Sequence, residues 1–324
     1  MKKALSIVLG TILFFGVIFF FGGMEIITII SEINIGYFFI ALLIQLFIIY
    51  LNAERLRIII CSQKYKLGFW RIFKILVSGM AINQLTPVVK AGGEPVKLYY
   101  LSKSNLPTTK SGASVVVEIT SELISFYVTL VLLVLFLCAT ESLSAGFLYA
   151  SIAIGILVIV GFFISFRFMF NKDRIEKFVE KYISKIFKNP NSKMSSRVFS
   201  YSLKNLFSDR ALCFKIYSIS FLCRFLEFIR IYILFYAINF PVAFTLALVV
   251  WVLETVFSSI PGLPGGMGIV EGGTISTLIV LGVSATISSS VLLLDRFLNL
   301  WVVVIIGVIT LHLLNKEFKG KVRY

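Results

Sequence analysis

Histidine is almost absent from this chain: His312 is the single one among 324 residues. A multi-histidine zinc site or a histidine-based catalytic triad has almost nothing to draw on. Cysteine is sparse as well. Cys61, Cys138, Cys213 and Cys223 lie far apart with no Cys-x-x-Cys pair, so neither a disulfide frame nor a thiolate metal centre is expected. Single thiols in apolar runs act as small packing residues. Acids are few, 16 Asp and Glu against 31 Lys and Arg, and charged residues together make up only 15% of the chain. An average soluble domain carries roughly 25%. A chain this poor in charge cannot clothe a globular surface, which excludes a soluble enzyme, a disordered polymer and a coiled coil.

What is present instead is apolar. Hydrophobic residues make up 58%, with 32 Phe, and the mean hydropathy is +0.96. Several runs reach the roughly 20 residues that cross a bilayer as helix. The expected class is an all-α, polytopic helical membrane protein forming one integral membrane domain over residues 1–324. The net charge of +15 would suggest nucleic acid in a soluble chain; here its distribution makes it a topology signal, and no nucleic-acid partner is expected.

Six full spans are expected, at 4–23, 36–51, 115–138, 147–166, 212–238 and 289–314. The first resembles a signal peptide but lacks a small-residue cleavage site, so it is read as retained. Residues 55–74 hold six Lys/Arg and no acid, whereas 23–35 hold Glu25 and Glu32 and no base. Basic loops stay inside, so both termini are expected in the cytoplasm of a multi-pass cell-membrane protein. The polar segment 167–210 carries eleven Lys/Arg against four Asp/Glu. Ile175, Phe178, Val179, Tyr182, Ile183 and Ile186 recur there at three and four, which reads either as an amphipathic helix on the inner surface or as an ordinary solvated helical loop. With these spans no external loop holds a Lys or Arg.

Two segments do not fit simple spans. Residues 70–102 are interrupted between Thr86-Pro87 and Gly92-Gly93-Glu94-Pro95, and residues 242–283 at Pro261-Gly-Leu-Pro264-Gly-Gly-Met-Gly268. Parity of the basic loops makes the first enter and leave from the inside and the second from the outside. Both are therefore expected to be re-entrant hairpins of opposite orientation, the signature of an inverted repeat with a binding site at the breaks. The plainer alternative is two Pro-kinked helices.

Charge inside a bilayer costs about 2.5–3.5 kcal/mol per residue on insertion scales, so each case needs a partner or a cavity. Glu118 and Glu122 lie one turn apart, Arg224 and Glu227 share a face with Arg230 beyond them, and Glu254 sits within the second hairpin. Arg296 and Asn299 share a face beside Asp295. The candidate substrate-binding residues are Asn83, Pro87, Gly92, Gly93, Glu94 and Lys97 at the first break, Gly265, Gly266, Gly268 and Glu271 at the second, and Arg224 and Arg296 in the spans. Glu118, Glu122 and Glu227 are the candidates for balancing charge or coupling an ion. The alternative for many of these residues is a set of buried salt bridges, with Arg224–Glu227 the foremost pair. Gly266-Met-Gly268 has no preceding strand and Glu271 where a third glycine belongs, which rejects a dinucleotide fingerprint; Gly268 and Gly272 could equally be a helix-packing face.

At these residues the chain resembles a known family, the membrane domain of lysylphosphatidylglycerol synthases, the flippase half of the multiple peptide resistance factor. The matching features are Asn83 with Leu85-Thr-Pro87, Ala91-Gly-Gly-Glu-Pro-Val-Lys97, Val117-Glu118 with Glu122, Pro264-Gly-Gly-Met-Gly-Ile-Val-Glu-Gly272, and Asp295-Arg296. The resemblance implies a bundle with two re-entrant hairpins and movement of lipid between leaflets, without fixing the lipid. The aminoacyl-transferring domain of the bifunctional relatives is not found after Leu314, so the chain is expected not to be an enzyme and to need no cofactor or metal.

The leading expectation is a translocase of a membrane phospholipid or a polyprenyl-linked lipid, with a homo-oligomer left open. An anionic headgroup would pass through a polar cavity at the breaks while the tails stay in the bilayer. No P-loop is present, so movement would be downhill or coupled to protons or another cation. The alternatives are a secondary transporter of a soluble anionic metabolite and, less favoured, a polyprenyl-phosphate glycosyltransferase, which would need external acidic pairs that Glu25, Glu32 and Glu141 do not form.

Overall fold

The computed structural model of the protein describes residues 2–86, 92–140, 196–258 and 263–319. All regular elements there are helical: α1 (Lys2–Gly22), α2 (Glu25–Ser31), α3 (Ile35–Ser62), α4 (Phe69–Leu85), α5 (Glu94–Lys103), α6 (Thr108–Thr140), α7 (Ser196–Ser208), α8 (Arg210–Ala237), α9 (Phe244–Ser258), α10 (Ile269–Val280), α11 (Ala285–Arg296) and α12 (Val303–Lys319). A π-helical stretch, Phe297–Val302, joins α11 to α12. Pro87, the expected span 147–166 and most of the basic segment 167–210 lie outside the described residues.

Among the described residues three helices are long and apolar enough to cross a membrane, namely Ile35–Ser62, Thr108–Leu132 and the continuous rod Ala285–Phe318. The bent pair Gly10–Gly22 and Glu25–Ser31 makes a fourth if taken as one span, folded by 93°. The bend falls at Gly23, whose φ of +62° is open to glycine at little cost. α8 is 28 residues long, about 42 Å of rise, but Lys215, Arg224, Glu227 and Arg230 punctuate it. Many large apolar side chains face outward, Phe20, Ile35, Phe39, Ile305 and Ile309 among them. On a soluble monomer this would be an adhesive patch; on a membrane protein it is lipid contact.

Two element boundaries differ from the sequence reading. The second span does not stop at Leu51: α3 runs on to Ser62. The charges that suggested a stop are satisfied in place, Arg57 by Glu54 one turn back at 2.5 Å and Arg55 by Glu122 at 2.5 Å. A charge with a partner no longer needs water, so the helix continues. The expected outer loop after the first span is instead the short helix α2, whose Glu25 carboxylate accepts from Thr286.

The described residues divide into two compact units. One is formed by 51–72 and the described parts of 97–224. Its core gathers Ile59, Leu98, Ala113, Val117, Phe199, Leu206, Leu212 and Ile216. The other comprises 1–50, 73–96 and 225–324. Within it α1, α2 and α10 pack on α11, and α9 packs on α10.

The two interrupted segments take a specific place in this second unit. α4 runs antiparallel to the last span. Lys74 pairs with Glu317, Ser78 Oγ meets Thr310 Oγ1 at 3.0 Å, and Gln84 Nε2 donates to the Asn299 carbonyl at 3.4 Å. The approach is close at Gly307, where an added Cβ would lie 2.7 Å from the Val77 carbonyl oxygen and strike Ala81. Small residues allow such backbone proximity between membrane helices. From Lys74 to Gln84 is about 15 Å of rise, half the roughly 30 Å hydrocarbon core. α10 covers the other half of the same rod. Its Glu271 meets Arg296 at 2.7 Å and its far end turns into Ala285. Two half-length helices thus line one full-length span end to end, with both breaks at its middle.

Candidate functional site

Each break is held open by a local device that the sequence encodes. At the first, Asn83 on the last turn of α4 acts as a clamp. Its Oδ1 accepts the Gly93 amide at 2.6 Å and its Nδ2 donates to Glu94 Oε1 at 3.2 Å. One side chain therefore ties the end of α4 to the start of α5. Thr86 Oγ1 turns back to the Ile82 carbonyl at 2.9 Å, finishing the helix. A Cβ on Gly92 would collide with the Thr86 side chain, and one on Gly93 with the Gly79 carbonyl. Both glycines are needed for space.

At the second break, Pro264–Gly266 makes a single 3-10 turn. Gly265, Gly266 and Gly268 have φ of +62°, +69° and +86°, a run that side-chain-bearing residues rarely adopt. Glu271, in the first turn of α10, accepts the Gly268 amide at 2.5 Å. This satisfies one of the donors that a helix start leaves open.

The two breaks meet. A Cβ on Gly265 would stand 2.7 Å from Leu300 Cδ1 and 3.4 Å from the Gln84 carbonyl oxygen. Leu300 and Asn299 belong to the π-helical stretch, and such stretches loosen the helical hydrogen-bond ladder and recur at functional sites. Immediately before it stands Arg296, 5% exposed. Its Nε pairs with Glu271 Oε1 at 2.7 Å and its Nη1 donates to the Gly265 carbonyl at 3.2 Å. Its Nη2 is buried with no hydrogen-bond partner.

A second ionic group adjoins it. Arg230 on α8 reaches Asp295 Oδ1 with Nε and Nη2, each at 2.8 Å, and donates Nη1 to Gln45. The other Asp295 oxygen accepts from Asn299 Nδ2 at 2.5 Å. The Glu254 carboxyl of α9 stands beside Asp295, Arg296 and Arg230, and its Oε1 is buried without a hydrogen-bond partner.

The remaining sequence candidates lie elsewhere. In the other unit Arg55 bridges Glu122 at 2.5 Å and Glu118 at 3.7 Å and donates to Ser220 Oγ at 2.8 Å. Lys97 pairs with Glu118 at 3.0 Å. Two bases and two acids make a network there, with Arg55, Lys97 and Glu118 buried and Glu122 partly exposed, and Arg55, read from the sequence as a cytoplasmic loop charge, is its hub. Arg224 and Glu227 are half-buried on α8. Arg296 takes Glu271 as its ion-pair partner. Sequence reasoning missed Arg55 and Gln45. A hydrophobic run continuing past Arg55 through Ile58-Ile-Ile60 was the available signal for the first; Gln45 left none beyond being polar inside a span.

Residues 5–307 match the sequence pattern described as the lysylphosphatidylglycerol synthase TM region. The chain belongs to this family. Among its relatives is a UPF0104 membrane protein of Methanothermobacter thermautotrophicus, 27% identical over 317 residues, which is 95% of this chain and 94% of that one. A UPF0104 membrane protein of Methanocaldococcus jannaschii is 23% identical over 99% of this chain and 97% of its own. One of Pyrococcus horikoshii is 22% identical over 95% and 96%. No solved structure matches the chain significantly. In this member of the family, the glycine-rich motifs that carried the resemblance form the two breaks themselves.

Proposed function

We propose that this chain is a membrane lipid translocase that passes an anionic headgroup between leaflets at the meeting point of the two broken helices. One observation carries the reading. Arg296 sits at the middle of the last span, is nine-tenths buried, and keeps one edge of its guanidinium without a protein partner. A buried donor of this kind is costly unless something fills it. The planar fork suits a phosphate oxygen. Glu271 and the Gly265 carbonyl grip the other edges, so the group is aimed before a ligand arrives. The half-helices α4 and α10 end on either side of this point, and irregular backbone at membrane depth is tolerated beside protein or a wet cavity. The acyl tails remain in the bilayer while the headgroup crosses the short distance between the breaks.

The test uses the full chain in phosphatidylcholine vesicles containing a fluorescent phosphatidylglycerol, with a membrane-impermeant quencher reporting the exposed leaflet. Protein-containing vesicles should lose protection of inner-leaflet probe. Arg296→Lys, which keeps the charge but not the fork, should slow the exchange roughly tenfold, the worth of one lost charge-assisted hydrogen bond of about 1.5 kcal/mol. Exchange no faster than in protein-free vesicles, or an Arg296→Lys rate equal to wild type, would defeat the proposal. Release of a trapped sugar phosphate in place of lipid exchange would favour a carrier of soluble anions.

A further inference from the structure

The ionic cluster of α8, α9, α10 and α11 holds an odd number of charges. Arg230 is matched by Asp295 and Arg296 by Glu271. Glu254 is the fifth group, 8% exposed, and among the described residues no base forms an ion pair with it. It faces Asp295, Arg296 and Arg230; Glu271 is the acid that α10 contributes to this cluster, and Gln45 and Asn299 are neutral. Its Oε1 is buried without a hydrogen-bond partner beside the Asp295 carboxylate, and two neighbouring buried carboxylates repel one another unless they share a proton. Among the described residues no three Asp, Glu, His or Cys side chains are placed to hold a metal ion, so the excess acid has the donor set of a proton site. We propose that the Glu254–Asp295 carboxyl pair binds a proton that moves together with the headgroup.

The linkage follows from charge. With Glu254 ionised the cluster carries two bases and three acids, and its net negative charge repels an anion approaching Arg296. With Glu254 protonated the cluster is neutral and the anion can reach the open edge of the guanidinium. Proton binding and headgroup binding therefore favour one another, and the coupling is reciprocal. The proton, bound on one side, is released on the other when the headgroup leaves. The carboxyl O–H bond formed on one side is broken on the other, no bond of the lipid changes, and the proton is conserved. This inference rests on the translocase reading but is tested separately.

Two measurements decide it. In the vesicle assay an imposed pH difference should bias the fluorescent phosphatidylglycerol away from the acidic side, by about tenfold per pH unit for one proton per lipid. Glu254→Gln, permanently neutral and of the same shape, should still exchange the probe but lose the bias. An unbiased wild type, or a Glu254→Gln protein biased like wild type, would overturn the coupling. The second measurement needs no transport. The infrared difference spectrum of wild type minus Glu254→Gln in detergent at neutral pH should contain the carbonyl stretch of a protonated carboxylic acid. Its absence would overturn the proton site even if the probe moves, whereas an inert wild-type protein that shows the band would instead count against the translocase.

Discussion

Removing either half of the Arg296–Glu271 pair tests whether the second break is held by charge. The two side chains are 6% and 0% exposed and their atoms are 2.7 Å apart, so solvent screening offers little relief. Truncating one partner of a buried pair leaves the other uncompensated and typically costs about 3–5 kcal/mol. Arg296→Ala should therefore lose about 3 kcal/mol or more. Glu271→Ala should lose still more, because the Gly268 amide also loses its acceptor, a capping term of about 1 kcal/mol. Glu271→Gln should recover that second part, since its amide oxygen can still accept from Gly268. The double variant Arg296→Ala/Glu271→Ala removes both charges, so it should be far less damaged than the sum of the two singles, with a coupling of about 2 kcal/mol or more. Reversible unfolding in mixed micelles of increasing denaturing detergent measures all four proteins. Single losses below about 1 kcal/mol, or simple additivity, would show that the pair does not hold the break.

Two further outcomes follow from other parts of the chain. Gly93→Ala should destabilise by roughly 1–3 kcal/mol, the cost of overpacking, because its Cβ meets the Gly79 carbonyl rather than a flexible side chain; a thermal-shift midpoint equal to wild type would place α5 differently. Cysteines introduced at the exposed positions Lys66 and Lys103 should resist an impermeant thiol reagent added to intact cells and react after lysis, as the basic loops require; external labelling of either would reverse the orientation or open the first hairpin into a full crossing.

Much of this architecture was legible from residue order because its signals are local or compositional. Scarce charge and long apolar runs dictate a helical membrane protein, since only internally hydrogen-bonded backbone survives in hydrocarbon. Proline and glycine at Thr86-Pro87, Gly92-Gly93 and Pro264-Gly265-Gly266 interrupt helices wherever they stand, so both breaks could be placed before any contact was known. The ends of helices were less legible. Arg55 ought to have closed α3 next to water, and it did not because Glu122, far along the chain, neutralises it.

Which charges belong together was decided only by the tertiary structure. Arg296 could have answered to Glu118, Glu122 or Glu271, all acids inside the membrane region, and periodicity along one helix says nothing about the rotation of its neighbours. The fold places Glu271 there by laying α10 along one half of the last span, and it brings Gln84 and Gly265 to the same level by laying α4 along the other half. Glu254 was visible as an expensive acid, but its lack of a counter-ion became apparent only when Arg230 and Arg296 were seen already paired. Hydropathy and backbone-breaking residues act within a few positions of themselves, whereas ion pairing acts through space between helices far apart in sequence, and so the first is written in the chain and the second waits for packing.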